Sequence, residues 1–358
     1  MRLWTVRLAK GLGSLLGAVA LALVLWSLVP AGTRAIPGEH AVAEIRRIEL
    51  GGFPQAVLLR GVDRRNPVLL YVHGGPGSAQ LPVARLYSGE LEKHFVVAHW
   101  DQRGAGASCA GVDWSRLSLE RIVADTIELA EALGGEDRIF LLGHSWGSLV
   151  GALAVQRRPD LFYAYVGLGQ LVERDRQERI SYDWVVEQAR RAGDADALAA
   201  LATIEPPYSS QREFALQRRW LGKYHGDVYA TERAREVWPA VLFGREYTLA
   251  TRLRYKPCFD RSLEVLLPDR LHVDLLTGVP RLDVPVFLFV GRHDYNTPWA
   301  LAEEWASRLE APHVELVWFE DAGHLIPLEA PEAFQARLLE KLLPLVPRGS
   351  ARPLSPSG

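Results

Sequence analysis

Cysteine is scarce in this chain: Cys109 and Cys258 are the only two among 358 residues, which excludes a disulfide-dense scaffold. No CxxC, no HExxH and no histidine cluster with ligand spacing is present, so no catalytic metal is expected. An excess of either charge is also missing. With 41 Lys plus Arg against 43 Asp plus Glu, the chain lacks the basic footprint that nucleic acid requires. Lysine itself supplies only five of the basic residues, a bias that fits genomic base composition and carries no functional reading. A GxGxxG fingerprint is absent as well, because the glycines near residue 104 have the wrong spacing and no ribose-binding acid follows a matching βαβ unit. NAD is therefore excluded, and no cofactor is expected.

Apolar residues make up 48% of the chain and charged residues 23%, a proportion that supports a large globular core and not a disordered protein. The amino terminus stands apart from that core. Gly11 to Thr33 is a run of 23 uncharged residues, dense in Leu, Ala and Val from Leu15 to Val29, against the roughly 20 residues that cross a bilayer. Arg2, Arg7 and Lys10 precede it, so an N-terminal transmembrane helix over residues 1–34 is expected, with its basic flank in the cytoplasm and the rest outside. The alternative is a cleaved signal peptide and secretion, with small-residue cleavage chemistry at Val29-Pro30-Ala31. At the other end, residues 347–358 (PRGSARPLSPSG) read as a disordered tail.

The remaining stretch of roughly 310 residues suits one core with a large insertion. Short apolar runs, Pro67 to Val72, Phe95 to Trp100, Arg138 to Leu142, Phe162 to Leu168, Val284 to Val290 and His313 to Phe319, have the pattern of strands buried on both faces. Helical patterns alternate with them, as in Ser118 to Leu133. That alternation predicts an α/β fold, a doubly wound and mostly parallel sheet spanning residues 38–170 and 284–346. Over 171–283 the pattern is helical only, with breaks expected at Pro206-Pro207, Pro239 and Pro257, and this segment is expected to form a cap inserted between two core strands.

Gly143-His144-Ser145-Trp146-Gly147 follows one predicted strand and opens a helix. In that setting the two glycines permit a strained turn that lifts the Ser145 hydroxyl from the sheet edge as a nucleophile. A serine needs a base, and the base needs an acid to hold its tautomer. The strand Val284 to Val290 runs into Gly291-Arg292-His293-Asp294, and His313 to Phe319 runs into Glu320-Asp321-Ala322-Gly323-His324. Both loops fall at the carboxyl edge of the sheet, where sites of open α/β sheets lie. Asp294 is the expected acid and His324 the expected base; Glu320 or Asp321 could replace Asp294 only if the loop before His324 were rearranged, and His293 is expected to be structural. Backbone N–H groups of Trp146 and of Gly75, in the loop His73-Gly74-Gly75-Pro76-Gly77, are the expected oxyanion donors. His73 and Gly74 support that loop. Asp101 and Arg103, in DQRGAGAS at 101–108, are expected to brace the loops around the site by ion pairing.

Taken together, HGGPG at 73–77, DQRGAGAS at 101–108, GHSWGS at 143–148, GRHDYNTP at 291–298 and AGHL at 322–325 resemble the α/β-hydrolase superfamily, and within it the proline iminopeptidases and their relatives. The resemblance implies a serine hydrolase with a Ser145-Asp294-His324 triad, an acyl-enzyme on Ser145, and a small amide or peptide substrate with a free amino terminus whose amine is met by acids of the cap. A carboxylic-ester hydrolase with the same triad, and an inactive membrane-attached binding module, are the other readings. Three departures are present: His144 stands where the iminopeptidases carry Gly, Gly169-Gln170-Leu171-Val172 replaces their LRGIF-like run, and the N-terminal apolar segment is added. Among cap acids, Glu178, Asp183 and Glu187 have the spacing of a solvated helix face and are not counted in the site. Cys109 and Cys258 can bridge core to cap in an oxidising compartment, or remain two separate buried thiols.

Overall fold

The computed structural model describes residues 21, 24, 26–230, 232–270 and 273–346. Eight strands build one sheet: β1 (Val42–Leu50), β2 (Phe53–Gly61), β3 (Val68–Val72), β4 (Val96–Trp100), β5 (Ile139–His144), β6 (Phe162–Leu168), β7 (Val286–Gly291) and β8 (Val314–Phe319). Their order in space is β1-β2-β4-β3-β5-β6-β7-β8. The first two pairings are antiparallel, and every pairing from β4 to β8 is parallel. All six parallel strands therefore present their carboxyl ends on one edge.

The interior strands are apolar on both faces because both are covered. In β3, Val68, Leu70 and Val72 enter one hydrophobic cluster while Leu69 and Tyr71 enter the other, the two-residue alternation of a pleated strand. Strands β1 and β2 fall outside the apolar runs seen in the sequence. Glu44, Arg46 and Arg47 break the hydrophobic signal of β1, which lies at the sheet edge and is only partly buried. In β2 the polar Gln55 and Arg60 point inward and are satisfied there, Arg60 by Glu92 at 2.8 Å.

On the core the helices include α1 (Leu119–Gly134) and α2 (Trp146–Arg157). Ser118 caps α1 by accepting the Arg121 N–H at 3.1 Å, an interaction worth about 1 kcal/mol. Between β6 and β7 the chain makes α3 (Arg174–Arg191), α4 (Ala195–Leu201), α5 (Gln211–Lys223), α6 (Val237–Phe243) and α7 (Leu249–Val265) before returning to the sheet, followed by α8 (Trp299–Arg308) and α9 (Pro331–Leu342). Two of the expected breaks are corrected. Pro239 lies within α6, and Pro257 lies inside α7 without ending it. Proline removes one backbone donor and usually breaks a helix; here Cys258, Ser262 and Leu263, just beyond it, are buried against the core and hold the helix in place.

Among the described residues no helix is long and apolar enough to cross a membrane. Most of the segment 1–34 expected to be an anchor or signal lies outside the described residues, as does the tail 347–358.

Three links fasten the helix α7 region to the loop after β4. Cys258 is disulfide-bonded to Cys109 with 6.2 Å between Cα atoms, Ser262 Oγ donates to the Gly104 carbonyl at 3.0 Å, and the Tyr247 hydroxyl donates to Asp101 at 3.0 Å. The disulfide closes a loop of 149 residues, for which chain entropy alone gives a stabilisation on the order of 5 kcal/mol. The Cys109→Ser, Cys258→Ser double variant is expected to lose several kcal/mol of that in urea unfolding. A loss below about 1 kcal/mol would assign the cap–core linkage to the hydrogen bonds instead.

Candidate active site

The turn between β5 and α2 sets the position of Ser145. Its backbone has φ 54° and ψ −120°, a strained region for a residue with a side chain. The turn is tight enough that a Cβ on Gly143 would overlap Gly147, and one on Gly147 would overlap the Val72 carbonyl at the end of β3. Close packing against the neighbouring strand thus requires both glycines. The strained residue is held from three sides: Ser145 N–H donates to Leu168 O at 2.9 Å, while its own carbonyl accepts Ser148 N–H at 2.8 Å and Ser148 Oγ at 2.6 Å.

Beyond β7 and β8, Asp294 and His324 meet. His324 Nδ1 lies 2.8 Å from Asp294 Oδ2, with the two residues 5% and 1% exposed. Because a carboxylate accepts, this contact places the proton on Nδ1 and leaves Nε2 bare. Asp294 Oδ1 also accepts the backbone N–H groups of Asn296 and Thr297, each at 2.8 Å, and Thr297 Oγ1 donates to Oδ2 at 2.7 Å. Burial pulls His324 toward neutrality, but the charge and hydrogen bond of Asp294, helped by Asp227, outweigh it and hold the imidazole above its ordinary pKa. Gly169, next to the Leu168 that anchors Ser145, has room for no side chain without pressing on the His324 ring, 3.0 Å away. The chain therefore brings Ser145 and His324 to the two sides of one strand end, although they are 179 residues apart in sequence.

The loop after β3 runs beside the serine. A Cβ on Gly74 would sit 3.0 Å from Ser145 Cβ, and Gly75 has φ +114°. Trp146 occupies the first position of α2, where a backbone N–H has no intrahelical acceptor. His73 ties this loop to the next one: its Nδ1 donates to Gly74 O at 2.8 Å, and its Nε2 accepts Gln102 N–H at 3.2 Å. Burial lowers its pKa to about 4 and that of His144 to about 3, so both rings are neutral near pH 7.

The bracing pair is organised differently from expectation. Arg103 forms its ion pair with Asp125, at 2.8 Å, and its Nη2 donates to Leu50 O. Asp101 has no ion-pair partner among the described residues. It accepts Ala107 N–H at 2.8 Å and the Tyr247 hydroxyl, and burial raises its pKa to about 7. The reason is placement: Arg103 turns toward α1, whereas Asp101 sits under the cap.

Of the three cap acids, only Glu178 departs from a solvated face. Glu178 is buried between Arg174 at 3.6 Å and Arg218 at 3.9 Å, Glu187 pairs with Arg191 at 2.8 Å, and Asp183 is exposed. Sequence reasoning missed Thr297, Gln102, Gly169 and Asp227. Thr297 lies in the GRHDYNTP motif and was open to notice. Asp227 carries no local signal; its carbonyl accepts the His324 N–H at 2.7 Å only because the cap folds back over β8.

The model of the α/β hydrolase fold family matches residues 67–331. A Bacillus subtilis protein named "Probable aminopeptidase YbaC" is 30% identical over 309 residues, which cover 84% of this chain and 96% of that one. A proline iminopeptidase-related protein from Thermus thermophilus is 26% identical with a TM-score of 0.59, covering 85% of this chain and 100% of its own. The proline iminopeptidase of Mycobacterium smegmatis, at 19% identity and a TM-score of 0.62 over 84% and 98%, shares the fold.

Two outcomes follow from the ionisation pattern. In a proton-detected imidazole titration, His324 is expected to have its midpoint above the ordinary value of about 6.5, while His73 and His144 stay neutral down to about pH 5; a His324 midpoint below 6 would contradict the dominance of Asp294. Asp101 favours its protonated form in the folded state, so its contribution to stability is complete below about pH 4 and is lost as pH rises through about 7. Asp101→Asn should flatten the fall in Tm across that window. A variant with the parent's slope would place the titration on another group.

Proposed function

The chain belongs to the α/β hydrolase fold family and is a hydrolase, and from that premise we propose that it is a serine hydrolase that cleaves a small amide or peptide with a free amino terminus. The observation that carries the reading is the buried His324–Asp294 contact at the same sheet edge as a serine in a strained strand-to-helix turn. In this reading Ser145 Oγ attacks the substrate carbonyl while His324 Nε2 takes its proton. Asp294 keeps the ring in the required tautomer and stabilises the imidazolium. The negative charge on the former carbonyl oxygen is met by the N–H groups of Gly75 and Trp146. When the C–N bond breaks, His324 returns the proton to the leaving amine and the acyl group stays on Ser145. Water, activated by the same histidine, then releases the acid product and regenerates the hydroxyl.

The relative named as an aminopeptidase supports the choice of an amide with a free amine. Asp227 supports it from within the molecule. This acid lies on the cap loop bonded to the His324 backbone, and its charge reaches the imidazole, which gives a substrate ammonium a counter-charge beside the reacting carbonyl. Glu178 is less suited, because two arginines already neutralise it.

The proposal extends to location. The uncharged segment Gly11 to Thr33 holds the hydrolase at the membrane with its core outside the cytoplasm. A disulfide between Cys109 and Cys258 agrees with an oxidising compartment.

The decisive measurement is fluorophosphonate labelling of the purified full chain followed by a panel of aminoacyl amides and acyl esters. Labelling should fall on Ser145, and Ser145→Ala should lose labelling and at least about 10³-fold in kcat/KM with the fold intact. Residual turnover within a few-fold of the parent would move the chemistry elsewhere. Turnover of acyl esters without any aminoacyl amide would replace the substrate class while keeping the triad.

A further inference from the structure

Exposed apolar side chains are not scattered evenly over this molecule. Eleven large ones are exposed among the described residues, and eight of them lie either at the end of the amino-terminal segment (Leu21, Val24, Leu28, Val29) or on the α6–α7 hairpin of the cap (Trp238, Leu242, Phe243, Leu253). Phe243 and Leu253 are 72% and 71% exposed, and Trp238 is 57% exposed. A soluble surface seldom gathers such residues without a partner to cover them.

The two groups belong to one face. Gly32 N–H donates to Arg245 O at 3.0 Å, and the Arg252 guanidinium lies 5.1 Å over the Trp26 ring. A crevice lined by Trp26, Val29, Gly32, Phe243 and Arg252 joins the segment to the hairpin. Upstream of this contact the sequence continues without a charge to Gly11, a composition compatible with a bilayer.

Charge selects the occupant further. Residues 233–256, the turn before α6 through the first half of α7, carry six basic residues and two acidic ones in a chain whose net charge is −2, with Arg233 paired to Glu332 and Lys256 to Asp260. One of the two acids, Glu246, is buried, whereas Arg235, Arg245 and Arg254 are exposed beside the apolar side chains. Aromatic and aliphatic side chains ringed by arginine are the composition of a helix pair that lies in a bilayer interface, with its apolar residues among the acyl chains and its cations at anionic headgroups.

We infer that the α6–α7 hairpin is a second membrane contact, docking the cap of this hydrolase onto an anionic lipid surface next to the point where the amino-terminal segment enters it. The inference is independent of the triad and of the substrate. Its structural consequence is orientation. A tether at residue 33 alone lets the body swivel, whereas the added hairpin fixes it. Helix α7 continues from the docking face to Ser262, which packs on Gly77 in the loop beside Ser145, so the docked face and the rim of the active site share one rigid element.

Both native cysteines are bonded to each other, so a single introduced cysteine takes a maleimide nitroxide specifically. The full chain is reconstituted in vesicles of phosphatidylcholine with phosphatidylglycerol, labelled in turn at Phe243→Cys, Leu253→Cys and, as control, Glu187→Cys on α3, whose main partners are α4 and α5. Collision of the nitroxide with dissolved oxygen and with a water-soluble nickel chelate is then measured. At 243 and 253 the chelate is expected to be excluded several-fold relative to 187 while oxygen access rises. Chelate access equal to that at 187 overturns the inference. Exclusion of both reagents also overturns it, because that shows the face covered by protein, either a second copy or residues 1–20. Equal depth in vesicles of phosphatidylcholine alone overturns the anionic-lipid part. The two labelled positions lie on different helices, and a circular dichroism spectrum and melting temperature matching the parent's show that each variant has folded.

Discussion

The packing of the β5–α2 turn against the end of β3 is the constraint on which the rest of the site depends. No side chain fits at Gly143 or Gly147, and the turn between them forces Ser145 into a conformation that costs on the order of 1–3 kcal/mol. Such strain persists only where neighbours over-determine it. Here the Leu168 carbonyl fixes the Ser145 N–H, and Ser148, held in turn by Leu171 N–H and Tyr165, fixes its carbonyl. The same close approach brings Gly74 alongside the serine, so the position of the β3 loop is a consequence of the elbow and not a separate feature.

Burial and neighbouring charge then divide the histidines by charge state. His73, His144 and His324 are all buried near the same edge. Desolvation dominates at the first two and makes them neutral structural hydrogen-bonders. At His324 a carboxylate faces the ring, and its attraction exceeds the desolvation penalty. That difference comes from Asp294, whose carboxylate oxygens also accept two backbone N–H groups and a threonine hydroxyl. Asp294 and His324 thus form one unit, ordered by the turn after β7.

The cap is joined to this edge at two places of different character. On one side α7 is fastened to the loop after β4 by a disulfide and hydrogen bonds. On the other, residues 226–230 lie on the loops after β7 and β8: Tyr295 N–H donates to Gly226 O, His324 N–H donates to Asp227 O, Tyr229 stacks on His293 at 3.7 Å, and Glu329 accepts the N–H groups of Tyr229 and Ala230. Backbone and ring contacts of this kind separate at less cost than a covalent bond, so the second junction is the weaker of the two.

Much of the core was legible in the sequence because the relevant physics is local. Buried parallel strands must be apolar runs, a strained turn beside another strand must have glycines, and a helix start with Ser118 announces its own cap. Those facts place Ser145, Asp294 and His324 at strand ends from the sequence alone. Edge strand β1 was hidden because half-exposed positions carry charges, and β2 because its inward polar residues find partners far along the chain. Only tertiary structure could decide that Arg103 pairs with Asp125 while Asp101 stays uncharged-leaning beneath Tyr247, that Arg218 of another helix meets Glu178, and that Asp227 reaches His324. Each depends on which distant segments meet, and a pairwise contact across more than twenty residues leaves no periodic trace in either partner's own sequence.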